Sequence, residues 1–148
     1  MKNIFLLIVF TLLSVNTFSQ VFKFSNNHLA LLVKDIDKSA KFYSETLQLE
    51  EIKTPEGMPN TVRWFVLSDK TQIHLTESDE KIRNPKGLNI SLSTNQLVEF
   101  INLLITKKVP FEDRFGEETK STTRSDGVKL IYLQDPDGYW IEVNNDVE

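Results

Sequence analysis

The chain contains no cysteine, which excludes disulfides, thiolate metal sites and a cysteine nucleophile. Five Gly and five Pro in 148 residues are too few for a collagenous or low-complexity protein. Neither sign of charge dominates: 17 Lys and Arg face 21 Asp and Glu, a net of −4. Without a basic excess, nucleic acid and anionic lipid surfaces are poor partners. There is no phosphate-cradling glycine loop, no serine nucleophile elbow and no HExxH signature. What is present is a mildly acidic chain, 40% hydrophobic, of a length that suits one domain or two small repeats sharing a core.

One long apolar run stands at the front. Lys2 precedes residues 4–13, ten positions interrupted only by Thr11, and Thr17-Phe18-Ser19 follows with small residues where a signal peptidase reads. Ten residues span about 15 Å as a helix, half the hydrocarbon thickness of a bilayer, so the run is too short for a permanent membrane anchor. We expect residues 1–19 to be a signal peptide cleaved near Ser19-Gln20. The product is an exported chain, periplasmic or secreted, of 129 residues and net charge −5. A domain of that size buries a workable core without disulfides.

Beyond that label the chain reads twice in the same order. Residues 28–33 (HLALLV) predict a strand. Asp35 is a plausible N-cap for a helix carrying Ile36, Ala40, Tyr43 and Leu47 at helical spacing. Strands near 50–53, 61–68 (TVRWFVLS) and 71–76 (TQIHLT) follow, the last two close enough for a hairpin. After a polar linker at 77–87 the pattern restarts with a strand at 88–93 (LNISLS). Ser93 and Gln96 resemble a capping box, and Leu97, Phe100, Ile101, Leu104 and Ile105 line a second helix. Strands at 110–115, 128–134 and 139–144 complete it, with Ser125-Asp126-Gly127 and Asp135-Pro136-Asp137-Gly138 as turns. The expected fold class is α+β: two βαβββ modules, about 24–76 and 88–145, within a single domain at 24–145.

Strand alternation divides each sheet into two faces. Ile73 and Leu75 oppose Gln72, His74 and Thr76; Leu88, Ile90 and Leu92 oppose Asn89, Ser91 and Ser93; Tyr139, Ile141 and Val143 oppose Trp140, Glu142 and Asn144. The apolar sets pack under the helices, leaving a polar face for a ligand. The chain has only two histidines, His28 and His74, on the first and last strands of the first half. Their counterparts in the second half are Asn89 and Glu142. If the halves meet about a pseudo-twofold axis, these four converge, and imidazole nitrogen with carboxylate oxygen suits Zn, Fe, Mn, Co or Ni. Arg63, Arg124 and Lys129 are the cations nearest this cup, none of them assigned a role. Trp64, Phe65, Trp140 and Phe115 are candidate wall residues, and Gly57-Met58 lies in a loop between strands.

Residues 28–39 (HLALLVKDIDKS), followed by Phe42-Tyr43 and Leu47, resemble the opening of the vicinal oxygen chelate superfamily. That group includes glyoxalase I, bleomycin- and fosfomycin-resistance proteins, methylmalonyl-CoA epimerase and extradiol dioxygenases. Residues 135–142 (DPDGYWIE) resemble its closing motif, so the likeness covers about 24–145. It implies paired βαβββ modules forming a curved, mostly antiparallel sheet with an open central cup around a divalent metal. The ligand positions fall on His28, His74, Glu142 and, at the fourth position, Asn89. His74 stands where glyoxalase I-like members have Glu and epimerase-like ones Gln. Asn89 departs from the usual His, which separates this chain from the extradiol and fosfomycin chemistries.

The resemblance therefore implies a glyoxalase-type, metal-dependent lyase or isomerase acting on a small oxygen-chelating substrate, with Glu142 as base. The alternative is a non-catalytic, drug-sequestering binding protein of the bleomycin-resistance type; an extradiol-type dioxygenase ranks below both. Many relatives form homodimers, and in some the metal site is shared, so that partners of His28 come from another subunit.

Overall fold

The computed structural model describes residues 22–81 and 83–147, so the expected signal peptide lies outside the described residues. The first module runs β1 (His28–Val33), α1 (Ile36–Lys41), β2 (Glu50–Ile52), β3 (Val62–Val66) and β4 (Gln72–Glu77). The second runs β5 (Asn89–Ser93), α2 (Leu97–Lys107), β6 (Phe111–Glu112), β7 (Thr122–Thr123), β8 (Lys129–Gln134) and β9 (Trp140–Asn144). The fold is α+β, with two mostly antiparallel sheets and no closed barrel. The order strand, helix, three strands holds in both halves, with β7 added between the strands expected at 110–115 and 128–134.

Local chemistry sets the helix limits. The Asp35 carboxylate accepts the Lys38 N–H at 2.9 Å, giving α1 the expected N-cap. The predicted helix continues to Leu47 but changes form, since Phe42–Thr46 is a π-helical turn closed by the Leu47 N–H on the Phe42 carbonyl. The capping box that Ser93 and Gln96 suggest does not form. Ser93 ends β5, Gln96 makes no side-chain cap bond, and the Thr94 hydroxyl accepts the Gln96 N–H instead.

In the first sheet the order is β1-β4-β3-β2, with β1 parallel to β4. In the second it is β5-β9-β8-β6, with β5 parallel to β9 and β7 added against β8. β1 and β5 are therefore edge strands, and among the described residues no ladder joins one sheet to the other. Leu31, Val33, Ile36, Tyr43, Phe65, Ile73 and Leu75 form the core of module 1; Leu97, Leu104, Phe111, Ile131, Leu133, Ile141 and Val143 form that of module 2. Phe42, Leu47 and Ile90 pack against both. The expected inward phase holds for Ile73, Leu75, Ile141 and Val143. Leu88 departs from it: it precedes β5 and is 73% exposed.

The turn at 135–138 locks the modules together. Tyr43 donates to Asp135 at 3.0 Å, Ser39 and the Lys34 N–H donate to Asp137 at 2.7 Å each, and the Leu32 N–H donates to the Tyr139 hydroxyl at 3.2 Å. Among the described residues no helix is long and apolar enough to cross a membrane.

Candidate functional site

Each module turns one sheet face to its helix and leaves the other open. On the open face of module 1, the β-ladder sets Trp64 beside His74 and Ala30 on the other side of it, with His28 opposite Gln72. Three rings stack across β3, β4 and β1: Trp64 on His74 at 3.9 Å with 4° between planes, and His74 on His28 at 4.2 Å with 11°. The two histidine rings thus lie in contact on one face.

Their tautomers follow from their neighbours. An amide oxygen only accepts, so His28 Nδ1–H donates to Asn27 Oδ1 and His74 Nε2–H donates to Gln72 Oε1, each at 2.7 Å. That leaves Nε2 of His28 and Nδ1 of His74 as the ring nitrogens not engaged by these amides. Burial, and then the charge of the neighbouring His28, hold His74 below the ordinary imidazole value, favouring the neutral ring that a metal requires.

On the open face of module 2, Glu142 is held at both oxygens. Tyr132 donates to Oε2 at 2.6 Å, and Asn144 Nδ2 donates to Oε1 at 3.0 Å and to Ser91 Oγ at 3.2 Å. Burial and the Glu142 hydrogen bond push the Tyr132 phenol up to about 12. Asn89 lies on the same face, but its Nδ2 donates to the Lys86 carbonyl at 3.2 Å, tying the linker to β5. Lys86 in turn reaches onto this face and pairs with Glu112 at 2.6 Å.

The donor set suits a divalent ion in kind: two imidazole nitrogens and one oriented carboxylate. Its arrangement within one chain is another matter. Parallel rings aim their lone pairs alongside each other, so a shared ion requires one ring to leave the stack. Among the described residues no three of His, Asp and Glu stand close enough together to hold a metal.

The remaining sequence candidates fall elsewhere. Arg63 pairs with Glu51 and Asp37, and Arg124 with Asp126 and Asp146. Phe65 is core and Phe115 is 78% exposed. Gln72, expected on the polar face with His74, bonds to it, while Asn27, Tyr132 and Lys86 enter without having been candidates. The signal for Tyr132 was available in the alternation of β8, which places it in phase with Glu142 once the register is known. A cavity of about 670 Å3 opens between the modules on the helix side, walled by Leu47, Leu49, Leu92 and Phe100, away from both histidines.

Residues 25–143 match the model for the Glyoxalase/Bleomycin resistance protein/Dioxygenase superfamily. The chain is 24% identical over 123 residues to Glyoxylase I 4 of Arabidopsis thaliana, covering 82% of this chain and 70% of that one. It is 26% identical over 153 residues to lactoylglutathione lyase of Pseudomonas putida, covering 82% and 84%. Among solved structures, one described as a glyoxalase family protein of Bacillus anthracis superposes with a TM-score of 0.71 at 20% identity, covering 86% and 99%. Lactoylglutathione lyase of Agrobacterium tumefaciens gives 0.61 at 17% identity, covering 82% and 93%. At these identities the solved structures speak for the fold alone.

Proposed function

Because the chain belongs to the glyoxalase/bleomycin resistance protein/dioxygenase superfamily, we propose that it is an exported, metal-dependent lyase or isomerase of the glyoxalase type. Its substrate is a small molecule with vicinal oxygens. The observation that carries this reading is the stacked pair of histidines, each oriented by an amide, on one open face and the doubly anchored Glu142 on the other.

His28, His74 and Glu142 would hold a divalent ion of Zn, Ni, Co, Mn or Fe. That ion supplies Lewis acidity at a chelated substrate oxygen. The Glu142 carboxylate takes a proton from the carbon beside the polarised carbonyl and returns it to the neighbouring atom. Tyr132 and Asn144 fix the carboxylate for that transfer. Asn27 and Gln72 each engage one imidazole nitrogen and leave the other to the ion.

We place the complete site between two copies of the chain. His28 and Asn89 sit on the edge strands β1 and β5, which do not pair with each other within one chain. Joining β1 of one copy to β5 of the other extends each sheet across the interface and brings His28 and His74 opposite Glu142.

Metal analysis of the mature protein tests this. One divalent ion per chain, lost in His28→Ala and in Glu142→Ala, supports it; a metal-free protein with unchanged fold contradicts it. A second reading, a non-catalytic small-molecule binder, draws on the stack of Trp64, His74 and His28, which offers a planar ligand a ready π surface. Metal-independent binding of such a ligand would favour it.

A further inference from the structure

Lys86 lies between β4 and β5, where the described residues form no helix or strand, yet its side chain lies in a corner of the open face of module 2. Its ammonium sits 4.6 Å from the centre of the Tyr132 ring and 5.0 Å from that of Trp140. Those two rings stand 6.5 Å apart at 80°, forming two walls of the corner. Glu112 Oε1 accepts from the ammonium at 2.6 Å, and the Asp113 carbonyl accepts at 2.7 Å.

We propose that the corner formed by Tyr132, Trp140, Glu112 and the Asp113 carbonyl is a binding subsite for the ammonium group of a ligand, held here by Lys86 as a tethered stand-in. The walls come from strands. Glu112 on β6 is the direct ladder partner of Tyr132 on β8, and Trp140 on the adjacent β9 pairs with Gln134, two positions along β8. The corner is therefore built without Lys86, whereas Lys86 is held by the corner and by one backbone bond from Asn89. Two π faces, one carboxylate and one carbonyl match what an ammonium asks for: aromatic faces against its positive surface and acceptors for its N–H groups. A surface lysine pairing with a glutamate needs no aromatic corner. The side chains of Lys86 and Glu112 are each about a quarter exposed (27% and 26%), so a soluble amine reaches the corner once the linker side chain swings out.

The corner also borders the candidate site. Tyr132 presents its ring to the ammonium and its hydroxyl to Glu142, so a ligand displacing Lys86 reaches Glu142 across the span of one phenol ring. The corner defines an alkylammonium ligand; that its other end carries oxygen donors rests on the proposed function at Glu142. The subsite itself contains none of His28, His74 and Glu142, and its occupancy does not depend on a metal.

The test uses Lys86→Met, which keeps the apolar stem and removes the charge. n-Butylammonium is titrated into the metal-free protein while the indole N–H of Trp140 is followed by NMR, with that of Trp64 as internal control and 1-butanol as neutral probe. In the variant, n-butylammonium shifts Trp140 saturably and at least about two-fold more tightly than in the wild type, where the tethered amine competes at millimolar effective concentration. 1-Butanol leaves Trp140 unmoved, and adding Glu112→Gln to the variant abolishes the response. The proposal is overturned if Trp140 fails to respond in the variant, or if alcohol and amine act alike. It is overturned equally if the wild type binds as well as the variant. Lys86→Gln is read in the same way, and loss of folding in both variants would make Lys86 a structural tether and overturn the proposal.

Discussion

The hydroxyl of Tyr43, fully buried in module 1, donates a 3.0 Å hydrogen bond to the carboxylate of Asp135, 92 residues further on in the closing turn of module 2. The other oxygen of Asp135 accepts the N–H groups of Asp137 and Tyr139, so one carboxylate shapes the turn and clamps it to the first module. The closing motif, whose Glu142 faces the candidate site, thus also joins the two modules.

Tyr43→Phe removes the donor and leaves Asp135 with a buried oxygen unsatisfied. We expect a loss of about 1–3 kcal/mol in urea unfolding, the usual cost of such a group. A change within about 0.5 kcal/mol, typical of surface substitutions, would show that the clamp carries no weight.

Asp135 also makes stability depend on pH. Burial pushes its carboxyl above the ordinary 3.8, against the hydrogen bonds from Tyr139, Tyr43 and Asp137 that favour the charged form. A carboxyl raised on folding contributes stability that is full below its unfolded value and is lost as pH rises through its folded value. Relative to Asp135→Asn, the wild type is therefore most stable in acid and loses that advantage as pH climbs from about 4. An advantage that grows with pH would contradict the assignment.

All three tyrosines are shifted in the same direction. Burial, followed by the Asp135 charge, pushes Tyr43 well above 10.0. Burial also raises Tyr139, and burial with the Glu142 hydrogen bond takes Tyr132 to about 12. Phenolate absorbance followed through an alkaline titration of the folded protein should show no ionisation centred on pH 10.0, the ordinary tyrosine value. One equivalent titrating there would mean that a tyrosine is open to water.

Tyr132→Phe frees one oxygen of Glu142 without touching the histidines. If Glu142 is a metal ligand, this variant should bind the ion about 10- to 100-fold more weakly, the usual cost of losing such an outer hydrogen bond. Competition with a chelator measures it, and unchanged affinity would remove Tyr132 from the site.

The sequence carried the element order because hydrophobic period and turn residues are local. HLALLV, the Asp35 cap and the Asp135-Pro136-Asp137-Gly138 turn stand where their patterns say. Alternation also put His74 and Glu142 on open faces, since Ile73, Leu75, Ile141 and Val143 must point inward. What depends on register was not legible. The stack on Trp64 needs β3 aligned with β4, the Tyr132 bond to Glu142 needs β8 aligned with β9, and Lys86 reaches its corner from a linker with no pattern at all. Ser93 misled for a related reason: parallel pairing with Asn144 on β9 keeps it in the strand, so Thr94 takes up the helix N–H.

In the proposed dimer one copy supplies the two imidazoles and another the carboxylate. Mixing His28→Ala/His74→Ala chains with Glu142→Ala chains, after allowing subunits to exchange, tests it through bound metal. Each variant alone should bind none. A 1:1 mixture should regain about a quarter of the wild-type metal per chain, because half the dimers are mixed and each has one intact site. A mixture that stays metal-free, while the wild type binds stoichiometrically and the subunits are shown to exchange, would contradict it.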